Sequence, residues 1–207
     1  MITRDLRSMS RRDTYRVLSS LVVPRPIAWV ATLGALGRVN LAPFSSFMGI
    51  FVPPALAINI ARRPDGSLKD TQANLRARQE AVVHIADVPL LQALHASGEE
   101  VPPEVSEVER LGLALVPSQV VAVPRLADAP VALECRLRQE LSLGPGADIV
   151  FMDVLVTHAA ERIWDEALDC ARADRWEPIS RLVGGGVDVP NYAGLGERFS
   201  LGKPKLP

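Results

Sequence analysis

The sequence predicts a mainly β fold, an antiparallel and Greek-key-like barrel with helices inserted between some of its strands. Three observations point there. Short β-branched runs recur along the chain. Two of them are joined so tightly, through Gly34-Ala35-Leu36-Gly37-Arg38, that they can only run antiparallel. The chain also carries 17 prolines, many just ahead of apolar runs, which favours short strands and turns over long helices.

Taken in order, residues 13–21 read as a short helix with Tyr15, Leu18 and Leu21 on one side. Pro24 and Pro26 end it and force an extended entry. Residues 27–33 form a strand and 39–47 its antiparallel return, with two glycines between them able to take positive φ. Residues 56–60 and 81–86 supply a third and fourth strand, separated by a helix over 70–78. A helix is expected over 88–97, then long β regions over 131–143 and 149–163, turned by Gly144-Pro145-Gly146. The first of these alternates, with Val131, Leu133, Cys135, Leu137 and Gln139 on one face. Residues 165–173 read as a further helix. Roughly six strands in hairpin order close into a barrel, and closure removes the edges that invite aggregation.

At 207 residues the chain is expected to form a single domain over 1–207, with an N-terminal helical segment over 1–22 and a loop-rich extension from about 175 to 207. Lys plus Arg number 23 against 24 Asp plus Glu, so no basic patch argues for nucleic acid. No apolar run reaches the length of a membrane-spanning helix. Cys135 and Cys170 stand far apart, which argues against a disulfide framework and for a reduced, cytoplasmic setting. The Arg- and Ser-rich N-terminus has a transit-peptide-like composition but lacks the hydrophobic region of a secretory signal, and its favoured reading is an amphipathic segment lying on the barrel. The acidic run Glu99, Glu100, Glu104, Glu107 and Glu109 reads as a solvated face.

Residues 40–74 carry the chemistry. Arg63-Pro64-Asp65-Gly66-Ser67-Leu68 is a turn that delivers Lys69, Asp70 and Thr71 to a helix start. Unpaired N–H groups and a partial positive charge suit such a start to a phosphate, with Lys69 adding charge and Thr71 a hydroxyl. Ser67-x-x-Asp70 also has capping-box spacing, so the same residues could serve only the helix. Pro43 breaks the hydrogen-bond ladder beside Ser45-Ser46-Phe47, as at an edge or bulge whose freed backbone groups could meet a ligand; an ordinary polar strand face is the other reading. Arg62 could reach the phosphate or sit solvated, and Arg25 is a weaker case of the same kind. His84 and His95 read as structural, and His158 stands at a strand end. None pairs at metal-ligand spacing, so no metal is expected, and no hydrolase or NTPase motif occurs.

Pro24-Arg25-Pro26-Ile27-Ala28, Asn40-x-Ala42-Pro43-Phe44-Ser45-x-Phe47, Lys69-Asp70-Thr71-x-x-Asn74 and Arg181-Leu182-Val183-Gly184-Gly185-Gly186 with Tyr192-Ala193 together resemble the flavin reductase-like family of FMN-binding split barrels, the flavoredoxin-type proteins. The resemblance implies an FMN-binding split β-barrel in which Asn40, Ser45, Ser46, Phe47, Arg62, Lys69, Thr71 and Asn74 hold the cofactor. A small barrel is filled by its own side chains, so a planar cofactor lies outside it. In the family that outside is covered by a second subunit, which implies a homodimer with flavin near the interface. The implied activity is an NAD(P)H-dependent flavin reductase passing hydride to FMN, with no catalytic side chain required. Its electrons would go to a small-molecule redox substrate or a monooxygenase partner. The alternatives are an FMN electron carrier without a nicotinamide site and a flavin-free structural or interaction barrel.

Overall fold

The computed structural model describes residues 1–183 and 190–199. Helix α1 spans Arg11–Leu21 and is capped by Ser10, whose hydroxyl accepts from the Asp13 N–H at 3.1 Å. Its apolar stripe is not buried: Tyr15, Leu18 and Leu21 are 62%, 45% and 73% exposed. Strands β1 (Arg25–Pro26), β2 (Ala28–Leu33), β3 (Val39–Phe44), β4 (Phe47–Phe51) and β5 (Pro54–Ala61) follow. The β2–β3 turn closes through Gly34 N–H donating to Arg38 O, and Gly37 there takes φ +73, a region cheap only for glycine.

Helix α2 (Asp70–Arg78) leads into β6 (Glu80–Ile85), then come α3 (Leu91–Ala96) and α4 (Glu107–Arg110). Two short strands, β7 (Leu115–Val116) and β8 (Arg125–Leu126), pair with each other. The long hairpin β9 (Val131–Ser142) and β10 (Ala147–Ala159) carries two bulges. After it come β11 (Trp164–Asp165), β12 (Cys170–Ala171), β13 (Ser180–Val183) and β14 (Pro190–Ala193).

Seven strands make one antiparallel sheet in the order β3-β2-β6-β9-β10-β5-β4. Its two edge strands, β3 and β4, are joined by Ser45-Ser46 alone. A chain cannot cross a flat seven-stranded sheet in two residues, so the sheet curls until its edges meet. β3 and β4 do not pair, and the seam between them is the split in a split barrel. The Asn59 N–H donates to Ser46 O at 2.9 Å, extending the β4–β5 ladder up to the seam.

β2 is buried on both faces because its alternate residues serve two cores. Ala28 and Val30 point into the barrel with Ile58, Ile60, Val83, Cys135 and Met152. Trp29 and Ala31 point outward, beneath Leu94 of α3 and Val108 of α4. The Trp29 indole N–H donates to Ser97 Oγ at 2.8 Å. His84 joins this outer layer as expected of a structural histidine: its Nδ1–H donates to Trp29 O at 3.1 Å while Nε2 accepts from the Leu126 N–H at 2.9 Å.

The structure corrects several sequence expectations. Residues 39–47 are not one strand, because Ser45-Ser46 steps from one sheet edge to the other. Residues 165–173 are the β11–β12 hairpin rather than a helix. The Asp165 carboxylate accepts from Ala167 and Leu168 N–H groups and so captures a turn, and Asp169 adopts φ +50. The chain after residue 175 contributes β13 and β14 to a three-stranded sheet with β1. Residues 184–186, the triple glycine, lie outside the described residues. In the acidic run, Glu107 is buried, not solvated.

Candidate functional site

Outside the barrel seam lies a cleft with two adjoining arms. The narrow one is built by the turn after β5. Gly66 takes φ +85, its N–H donates to Arg63 O, and the Arg63 N–H donates to Ser67 O at 3.0 Å. The chain is thereby reversed toward Lys69, which is the N-cap residue of α2 with extended backbone and no side-chain cap bond. The capping-box reading is therefore not realised. Asp70 is the first helical residue, and its carboxylate is paired at 2.7 Å with the Arg63 guanidinium.

The N–H groups of Gln72 and Ala73 both donate to Lys69 O. Those of Asp70 and Thr71, ahead of them, are left for an outside acceptor. Thr71 is held by Asn40, whose Nδ2 donates to Thr71 Oγ1 at 3.0 Å and lies 3.3 Å from Thr32 Oγ1. Asn74 Nδ2 donates to Thr32 Oγ1 at 3.1 Å. These amides and hydroxyls tie the start of α2 to β2 and β3. The arm they wall, about 70 Å³, is also lined by Arg63, Lys69, Asp70 and Glu107. Glu107 accepts from the Leu41 N–H at 2.9 Å, and burial pushes its carboxyl up from the usual range.

The wide arm measures about 630 Å³ and is lined by Tyr15, Pro43, Ser45, His95, Arg181 and Tyr192, among others. Pro43, Gly98 and Glu99 line both arms. At that junction Gly98 has no room for a side chain to spare: a Cβ would stand 3.3 Å from His95 O and 3.4 Å from the Pro43 ring. His95 Nδ1 lies 3.0 Å from the Tyr192 hydroxyl, and the rings meet edge to face at 5.9 Å. His95 is thus a cavity residue, contrary to its structural reading. His158 instead pairs at 2.7 Å with Glu134, away from both arms.

Of the residues expected to hold a cofactor, Asn40, Ser45, Lys69 and Thr71 line the cleft, and Asn74 stands behind them. The other three stand away from it. The Arg62 guanidinium is 2.8 Å from the buried Asp148 carboxylate, so the burial of Asp148 claims its charge. Phe47 packs on the barrel interior, because β4 turns its first residue inward. Ser46 is exposed at the seam. Arg63, one residue on from Arg62, takes the place at the cleft. Adjacent arginines in a turn leave no periodic signal to tell them apart. Glu107, His95, Arg181 and Tyr15 line the cleft as well, although the sequence reads them as a solvated acid, a structural histidine, a motif residue and a helix-face residue, since each is brought in by an element distant in the chain.

A family model described as a flavin reductase like domain matches residues 19–173. An uncharacterized protein of Halalkalibacterium halodurans is 39% identical over 206 residues, covering 96% of this chain and 95% of that one. Among solved structures, nitrilotriacetate monooxygenase component B from Bacillus cereus is 32% identical with a TM-score of 0.90, covering 97% of this chain and 98% of its own. The Pseudomonas fluorescens 2-nitrobenzoate 2-nitroreductase NbaA is 30% identical with a TM-score of 0.89, covering 100% and 98%.

Proposed function

The chain belongs to the flavin reductase-like family, and from that premise we propose that it is an NAD(P)H-dependent flavin reductase that binds FMN in the cleft. The observation that carries the reading is the joining of the two arms at Pro43, Gly98 and Glu99. A tricyclic ring suits the wide arm, and a phosphate suits the narrow one. The donor set fits. Lys69 has no carboxylate partner among the described residues, the Asp70 and Thr71 N–H groups point out of the helix start, and Thr71 accepts from Asn40 and keeps its own proton to donate. Arg63 offsets Asp70, which would otherwise repel a dianion.

When bound, FMN supplies the chemistry, accepting a hydride from the nicotinamide. The chain's own work is to orient the two rings, exclude water and place donors where charge accumulates. Ser45 at the seam and the His95–Tyr192 pair are positioned for this in the wide arm. No side chain has to act as acid or base for the hydride step itself.

The reading extends to a homodimer. The α1 stripe and the β4 edge together expose Tyr15, Leu21, Met48, Phe51 and Val52, apolar surface that a second copy would cover. We place the protein in the reducing cytoplasm, consistent with Cys135 and Cys170 being free thiols. The electron acceptor is a small-molecule redox substrate or a monooxygenase partner, the latter in line with the component B likeness.

Visible absorption of the purified protein with FMN, followed by anaerobic NADH or NADPH, tests the reading. A perturbed flavin spectrum that bleaches on adding the nucleotide is expected. Flavin that binds but does not bleach would leave an electron carrier, and no perturbation would leave a flavin-free barrel.

A further inference from the structure

Arg25 and Arg181 face each other across the β1–β13 ladder as direct register partners. Like charges directly opposite in a sheet are unfavourable, and among the described residues neither has a carboxylate within ion-pair distance. Elsewhere Arg62, Arg63, Arg76, Arg162 and Arg172 each hold a carboxylate at 3.1 Å or less. Arg25 is only 8% exposed. Its Nη1 donates to Ser19 O and Val22 O, closing the C-terminal end of α1. That role accounts for one nitrogen. The other, Nη2, is buried with no partner, an expensive state for a charged donor. Burial pushes the Arg25 guanidinium below its usual value, opposed by Tyr15 and reinforced by Arg181.

Arg181 brings this uncompensated charge to the cleft. It lines the wide arm, and its guanidinium carbon stands 5.1 Å from the centre of the Tyr192 ring. A guanidinium over a ring face keeps its N–H edge available for two parallel bonds to an oxyanion. We propose that the Arg181 end of the wide arm is an oxyanion subsite, with Arg25 behind it adding to the positive potential, and that it recognises the carboxylate or phosphate of a second ligand lying beside the flavin. Tyr15 and Tyr192 give that ligand aromatic walls. The flavin reading bears on this only in saying what the ligand lies beside. Two carriers share the required chemistry: the pyrophosphate of a nicotinamide dinucleotide and the carboxylate of a small aromatic acid.

Calorimetric titration of the flavin-free protein with sodium pyrophosphate and with sodium benzoate, at constant ionic strength, tests the subsite. The expected result is binding of at least one anion with a component that weakens about tenfold or more in Arg181→Gln, weakens less in Arg181→Lys, and is retained in Lys69→Ala, which removes only binding at the narrow arm. Pyrophosphate responding in this way assigns the anion to the dinucleotide, and benzoate to a small acid. Thermal melts of both Arg181 variants separate lost binding from lost folding. The subsite is overturned if neither anion binds the wild type, or if binding survives Arg181→Gln and disappears in Lys69→Ala. FMN titrated into the same samples keeps the two readings apart: an FMN-binding protein without an anion response defeats only the subsite, and an Arg181-dependent anion response without FMN binding defeats only the flavin reading.

Discussion

The Asn40 amide of β3 donates to the Thr71 hydroxyl of α2 at 3.0 Å, joining residues 31 apart in the chain. That bond fixes where the start of α2 stands relative to the barrel seam, and both partners line the narrow arm. Replacing Asn40 by Ala removes it and the 3.3 Å contact with Thr32. A loss of about 1 kcal/mol in stability is expected, together with weaker FMN binding because Thr71 is no longer held. Urea unfolding and flavin fluorescence titration measure the two effects. FMN affinity unchanged in this variant would remove Thr71 from the binding set.

Lys69→Ala takes away the cation of the narrow arm that has no carboxylate partner among the described residues. Charge-assisted hydrogen bonds contribute about 1.5–3 kcal/mol, so FMN affinity should fall roughly tenfold to a hundredfold. Riboflavin carries the same ring without the phosphate and should be nearly unaffected. Equal losses for the two flavins would place the phosphate elsewhere.

Phe51 and Val52, at 88% and 91% exposure, are among the most exposed apolar side chains of the described residues. Sedimentation should give a dimer for the wild type. Phe51→Glu puts a charge in the face that a second copy would cover and should shift the equilibrium toward monomer while leaving the β4–β5 pairing intact. A wild type that sediments as a monomer at micromolar concentration with flavin bound would sink the dimer.

His84 is fully buried, and its pKa is lowered to about 4, chiefly by desolvation, from an ordinary 6.5. The unfolded chain therefore binds a proton that the folded protein refuses. Stability from this group is complete above pH 6.5 and is lost as pH falls toward 4, by about 3 kcal/mol in all. Urea midpoints at pH 7.5 and pH 4.5 should differ less in His84→Gln than in the wild type. Parallel pH curves for the two proteins would show that the imidazole is not the group responsible.

Much of this fold is legible locally. The helix over Asp70–Arg78 and the β2–β3 hairpin rest on signals a few residues long: a Gly-containing turn, a helix start, two glycines between apolar runs. Lys69 and Thr71 could be nominated for the same reason, since a turn and the helix it opens are adjacent in sequence. The β11–β12 hairpin is not legible in the pattern of apolar residues, because Asp165 and Asp169 act through backbone capture and a left-handed residue, which hydrophobic periodicity does not register.

What the chain by itself determined, then, is the β2–β3 hairpin, the long β9–β10 hairpin and the helix start at Lys69. The tertiary structure alone decided which of two neighbouring arginines faces the cleft, because Arg62 is drawn to an Asp148 that lies 86 positions later and is buried only once β10 has paired with β5. It also decided that Glu107 is buried under Leu41, that His95 meets Tyr192, and that Arg25 stands opposite Arg181. Each of these pairs lies on elements far apart in sequence, and burial, the quantity that makes a charge costly or useful, exists only after those elements have met.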